Sequence, residues 1–249
     1  MWHGPDYDVL SDPQRSWGAA VLDRLDLRDG ATVLDAGAGS GRVTESLLAT
    51  NDEVRVIAVD ASASMLDAAR RRLERFADRV TFVEMSLTEP FPASLTSHGP
   101  VDAVLSTGTF HWVLDHEALY RRLFDLLVPG GQLVAQFGGD GSVAEVRSAL
   151  ADLGIDTTGM NNYANAPQTL EWCERAGFVE VDAWMHDELV ELPDHDARVE
   201  YLAAAVIAPY VAGCTPAERR AIAEQVAASV GDRGLRFVRT NLVARRPGA

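Results

Sequence analysis

Apolar and polar positions fall in blocks along this chain rather than alternating residue by residue. Dense apolar runs stand at ATVLDA (31–36), VRVIAVD (54–60), VTFVEMS (80–86), VDAVLST (101–107) and GQLVAQF (131–137). Short runs of this kind, rich in β-branched residues, mark strands buried on both faces. Between them the apolar residues recur at helical spacing, near 14–26, 42–50, 63–76 and 116–128. Strand and helix taken in turn predict right-handed crossovers and a parallel sheet covered on both sides. After GGDG (138–141) the rhythm changes to a helix near 143–153, a polar loop DTTGMNNYANAP, and a short helix from Pro167. Strands follow over 178–190 and 235–244, with an Ala-rich helical stretch between them, 194–230. The pattern predicts one domain over 1–249, with a helical lid over about 1–30 and a helical cap over about 191–233. No repeat or low-complexity tract marks a second domain.

The first strand runs into VLDAGAGSGR (33–42), so a strand turns into a helix at Gly37, Gly39 and Gly41. Such a turn leaves backbone N–H groups and the positive end of a helix facing outward, and glycine lets a ligand approach them closely. The spacing is G-x-G-x-G, and Arg42 stands where the third glycine of a dinucleotide fingerprint belongs. A P-loop is excluded because the chain contains no lysine. Asp35 ends the first strand and Asp60 the second, so both carboxylates are expected at the carboxyl edge of the sheet, where open α/β sheets bind ligands. A carboxylate such as Asp60 can accept from both hydroxyls of a ribose.

Composition narrows the classes. A net charge of −15 opposes a nucleic-acid groove or an anionic membrane surface. There is no long apolar run and no signal-like N-terminus, so a cytoplasmic protein without a membrane partner is expected. Cys173 and Cys214 lack metal-ligand spacing and read as buried thiols, so neither a metal site nor a disulfide is expected.

VLDAGAGSG, VDASASML (59–66) and LFDLLVPGGQLVAQF (123–137), in this order, resemble class I S-adenosylmethionine-dependent methyltransferases, and the likeness covers nearly the whole chain. The resemblance implies a Rossmann-like α/β sheet, mostly parallel with the last strand antiparallel, and S-adenosylmethionine as cofactor. It implies that Gly37, Gly39 and their neighbours Ala38 and Gly41 pack against the methionine moiety beside Asp35, that Asp60 holds the ribose, and that Ala61 and Met65 flank the adenine. Ser86, followed by Leu87, takes the place where the family usually has an Asp for the adenine amine, and Thr107 at the end of the fourth strand completes the set.

STGTFHWVLDH (106–116), YDVLSDPQRSWGAAVLDRL (7–25) and RFVRTNLVARRP (236–247) are similar to the trans-aconitate and juvenile hormone acid methyltransferases, which make methyl esters of carboxylic acids. That likeness implies that Gln14 and Trp112 hold the acceptor carboxylate, as neutral N–H donors. The acid is already ionised at neutral pH, so alignment matters and a base does not. His111 departs from the usual Gln of the trans-aconitate group and admits an alternative: general base for a phenol, alcohol or amine acceptor. Tyr7, Phe137, Tyr163 and Tyr201 are expected around an apolar, small-molecule pocket. The cap stripe Val199, Leu202, Val206 and Tyr210 reads as core, Pro209 as a helix interruption, and Arg198 as a surface residue. A cofactor-binding protein without transferase activity and a nucleotide-dependent oxidoreductase are the readings from other classes.

Overall fold

The structure, a computed structural model, describes residues 12–248, the side chains of residues 12–16 excepted. Seven strands form one sheet: β1 (Thr32–Ala36), β2 (Arg55–Asp60), β3 (Val80–Glu84), β4 (Val101–Thr107), β5 (Leu127–Gly138), β6 (Val179–Val190) and β7 (Leu235–Arg245). Their order is β3-β2-β1-β4-β5-β7-β6, and only β7 runs against its neighbours. The mostly parallel sheet with an antiparallel last strand is therefore present. The order reverses between β1 and β4, which opens a crevice at their carboxyl ends.

Alternation of side chains divides each strand between two cores. Leu34, Ile57, Val104 and Leu133 face helices α5 (His116–Leu126) and α7 (Ala166–Ala176). Val33, Val56, Ala103 and Val134 face α1 (Asp12–Leu22) and α2 (Arg42–Thr50). A third core joins α6 (Ala144–Asp152) to the helices between β6 and β7, α8 (His195–Tyr201) and α9 (Pro216–Val230). Local sequence sets the helix starts. Ser62 caps α3 (Ala63–Arg72) by accepting the Met65 N–H, and Asn165 with Gln168 and Thr215 with Glu218 form capping boxes, each with a proline in the first turn.

Several expected boundaries move. The helix read over 63–76 breaks after Arg72 into a 3-10 turn at Glu74–Phe76, and the strand read over 131–137 begins pairing at Leu127 through a bulge opposite Val101. The cap is not one helix: α8 passes into a π-helical turn, Leu202–Val206, and irregular chain containing Pro209 leads to α9. Val199, Leu202, Val206 and Tyr210 are core, as their spacing implied. Arg198 is not a surface residue: it is buried and its Nη1 donates to the exposed Asp232 at 2.7 Å, so its charge is carried to the surface by its partner. No described helix is long and apolar enough to cross a membrane.

Candidate active site

The glycine turn is tied to the end of β2. The N–H groups of Gly37 and Ala38 both donate to the Val59 carbonyl at 2.8 Å. Gly39 N–H donates to Asp60 Oδ2 at 2.9 Å, and Ser62 N–H donates to Oδ1 at 2.8 Å. Gly37, Gly39 and Gly41 all have positive φ, 89°, 55° and 81°, for three different reasons. A Cβ on Gly37 would stand 2.1 Å from Thr109 Oγ1, so this position must be bare for the loop after β4 to approach. A Cβ on Gly39 would meet nothing within 4 Å, because that residue faces a cavity. A Cβ on Gly41 would press on Ala69 and Leu73, so its bareness seats α3 against the start of α2.

The cavity, about 1080 Å³, lies across the carboxyl ends of β1 to β4. Gly37, Ala38, Gly39, Asp60, Ala61, Met65, Ser86, Leu87 and Thr107 line it, so most of the residues predicted around a cofactor meet in one place. Gly41 and Asp35 do not. Gly41 serves packing, and the Asp35 carboxylate is turned inward, accepting from Thr44 Oγ1 at 2.5 Å. Burial pushes the Asp35 carboxyl up to about 6, with the Thr44 bond opposing and the nearby Asp60 adding to the rise. Burial also raises Asp60, against the pull of the Ser62, Gly39 and Ala61 N–H groups.

At its other end the cavity is bounded by Trp17, His111, Trp112, Ala205, Phe237 and Arg239. His111 is buried, and its Nδ1 accepts the Gly138 N–H at 3.2 Å. A neutral imidazole that accepts at Nδ1 carries its proton on Nε2, and Nε2 has no hydrogen-bond partner among the described residues. Burial, then the charges of Arg239 and His116, hold the His111 pKa down to about 3. The side chain is thus placed as an N–H donor toward the cavity, an arrangement that favours a donor over a general base, since Nδ1 is engaged and burial keeps the ring neutral.

Tyr163 does not reach the cavity wall but stacks on His111 from behind, 5.5 Å between centroids, with its hydroxyl bonded to Tyr210 at 3.0 Å. Phe137 and Tyr201 were expected at the pocket and are instead fully buried. Phe137 packs between Phe110 and His116, and Tyr201 lies in the cap core against Phe237. Inward-facing strand and helix positions account for both. Trp112 lines the cavity as expected. Tyr7 lies outside the described residues, as does the side chain of Gln14.

Arg239 had not been singled out. It is buried, its Nε donates to Gln136 Oε1 at 3.3 Å, and its guanidinium lies over the Trp17 ring at 4.3 Å. Arg-Thr-Asn between Phe237-Val238 and Leu242-Val243, at 239–241, was the available signal, since three consecutive polar residues in the middle of a strand must find partners or a ligand.

Residues 33–131 match a family described as a methyltransferase domain. Across 266 aligned positions the chain is 27% identical to trans-aconitate 2-methyltransferase of Methylobacterium radiotolerans, covering 98% of both chains. It is 28% identical to the enzyme of that name from Paracidovorax citrulli, again over 98% of both. The fold resembles Haemonchus contortus phosphoethanolamine N-methyltransferase 2 in complex with S-adenosyl-L-methionine, with a TM-score of 0.59 and 20% identity over 93% of this chain and 52% of that one. The methyltransferase domain over residues 33–131 and these likenesses indicate an S-adenosylmethionine-dependent methyltransferase that resembles the trans-aconitate methyltransferase group.

Proposed function

We propose that this methyltransferase acts on the carboxylate oxygen of a small acid and forms its methyl ester. One observation carries the reading: the acceptor end of the cavity joins a buried arginine, Arg239, to a histidine whose Nδ1 is taken by the Gly138 N–H, which leaves Nε2–H as the group it turns to the cavity. An acceptor that must lose a proton finds no base there among the described residues. A carboxylate needs none and meets two N–H donors, one of them charged.

The glycine-turn end fits the cofactor. Gly39 leaves open space where a side chain would stand, and each Asp60 oxygen, holding one backbone N–H, keeps accepting capacity for a hydroxyl. Asp60 would hold the ribose diol, Gly37 to Gly39 the methionine portion, and Ala61, Met65 and Leu87 the adenine faces, with Ser86 and Thr107 at the edges. When bound, the cofactor supplies an electrophilic methyl group on a sulfonium that leaves as a neutral sulfide. The protein's share is alignment. His111 Nε2–H and Arg239 orient one carboxylate oxygen, Trp17, Trp112 and Phe237 exclude water, and no protein group exchanges a proton. Gln14 remains part of the proposal as a further donor, as do Tyr7 at the mouth, the 1–30 lid and 191–233 cap of a single domain, and a cytoplasmic small-molecule acceptor.

The test is transfer from methyl-labelled S-adenosylmethionine to a panel of acids, phenols and amines, followed by mild alkali. Label released as volatile methanol is expected. Label transferred but retained through alkali would mean an ether or amine product and overturn the ester reading.

A further inference from the structure

The wall of the acceptor end combines large rings with one very small side chain. Trp17 and Phe237 lie 5.4 Å apart, Arg239 rests on Trp17, and Trp112 stands beside His111 at 4.9 Å. The cap's contribution to this wall is Ala205, which sits on the π-helical turn Leu202–Val206. Leu202 and Val206 on the same turn, with Ile207 and Tyr210 beyond it, are fixed in the cap core. A π turn carries an extra residue in the helical circuit and recurs at functional sites. Here it presents a single methyl group to the cavity from a firmly held backbone.

The charges at this end are equally one-sided. Among the described residues lining the cavity, Glu45, Asp60 and Glu84 stand with the glycine turn and β3, and Arg42 and Arg72 are also on that side. Arg239 supplies the positive charge near His111, whose depressed basicity it helps cause. Among the described residues lining this end, its guanidinium is the positive charge that one carboxylate would meet. A second carboxylate on the same acceptor would lie against Trp17, Trp112 or Phe237 and surrender its hydration without a further cationic partner among the described residues of this end.

We infer that the acceptor is an acid with one carboxylate and an apolar body, and that Ala205 sets the length of body the cavity admits. The inference rests on the ester reading above. In the geometry described, the carboxylate meets His111 and Arg239, the body lies along the aromatic rings, and the Ala205 methyl marks its far limit.

The experiment measures ester formation by the full chain and by Ala205→Leu and Ala205→Gly. Acceptors are straight-chain monocarboxylic acids of increasing length and the α,ω-dicarboxylic acids of matching length. S-adenosylhomocysteine binding by calorimetry accompanies each variant. Monocarboxylates are expected to exceed dicarboxylates in kcat/KM by about tenfold or more. Ala205→Leu is expected to move the optimum to shorter acids and lower kcat/KM for the longest good acceptor by about tenfold, while the S-adenosylhomocysteine Kd stays within about twofold. Ala205→Gly moves the optimum the other way, and it decides the matter if the leucine variant fails to bind S-adenosylhomocysteine. Dicarboxylates matching monocarboxylates, or a length profile unchanged in the folded variants, would overturn the inference and leave the ester reading intact. Failure of every acid as acceptor, with S-adenosylhomocysteine still bound, would overturn both.

Discussion

Replacing the glycines of the turn one at a time by alanine should separate folding from ligand binding, because each glycine is bare for a different cause. Gly37→Ala places a Cβ 2.1 Å from Thr109 Oγ1, 2.4 Å from its Cγ2 and 2.6 Å from its Cβ, at a φ of +89°. The dihedral costs about 1–3 kcal/mol for an L residue. The overlap involves the Cβ of Thr109 as well as its tip, so rotation of the side chain cannot relieve it, and forced repacking adds about 1–3 kcal/mol. A loss of about 2–6 kcal/mol is a large part of the 5–15 kcal/mol typical of a whole domain, and at about 2–4 °C per kcal/mol should lower Tm by about 10 °C. Gly39→Ala meets no atom within 4 Å at a φ of +55°, which L residues reach at a cost of about 1–2 kcal/mol. Its methyl enters the cavity, so S-adenosylhomocysteine affinity should fall more than stability does. Thermal melts and calorimetric titration of the two variants give the pair of numbers. Thr109→Gly in the Gly37→Ala background should recover the overlap part of the loss and leave the dihedral part. Equal Tm losses at Gly37 and Gly39, or no recovery with Thr109→Gly, would refute the assignment of distinct roles.

Two further outcomes follow from titrating groups. With its pKa held near 3, His111 is neutral from pH 5 to 9, so kcat/KM for a carboxylic acid should show no limb assignable to it; His111→Asn should cost about tenfold, mostly in KM and without alkaline rescue, whereas a limb near pH 6.5 or a loss rescued by alkali would restore the base role. The folded Asp35 pKa, about 6, lies above its ordinary 3.8, so the folded state binds the proton more tightly; its contribution to stability is complete below pH 3.8 and is lost as pH rises through 6. The difference amounts to about 3 kcal/mol, so in urea unfolding without ligand Asp35→Asn should gain on the parent between pH 4 and pH 8, and a constant gap across that range would contradict it.

Much of the sheet was legible because strands buried on both faces must be largely apolar, as Val33, Leu34 and Ala36 in β1 and Val56 to Val59 in β2 are. Boundaries were less so. Nothing in the local pattern near 72 announces the 3-10 turn, which starts just after Leu73, a residue seated beside Gly41. Asp60, the last residue of β2, lines the cavity as its position suggested, whereas Asp35, next to last in β1, turns toward Thr44; strand ends alone do not say which way a carboxylate points. Phe137 and Tyr201 look like pocket aromatics in one dimension and become core once the two faces of β5 and the cap are known. Arg239 was overlooked for the converse reason, since a charged residue in a late strand reads as surface until β7 proves to lie between β5 and β6.

The carboxylate of Asp60 is bonded to N–H groups of two separate loops, at Gly39 and at Ser62. It therefore acts as a rivet through the sheet's rim before any nucleoside arrives. A ligand seated there meets groups already in place, so little chain has to be ordered on association. The same rivet means that a disturbance of either loop is transmitted to the other: loosening the start of α3 would be felt at the glycine-turn end of the cavity through this carboxylate.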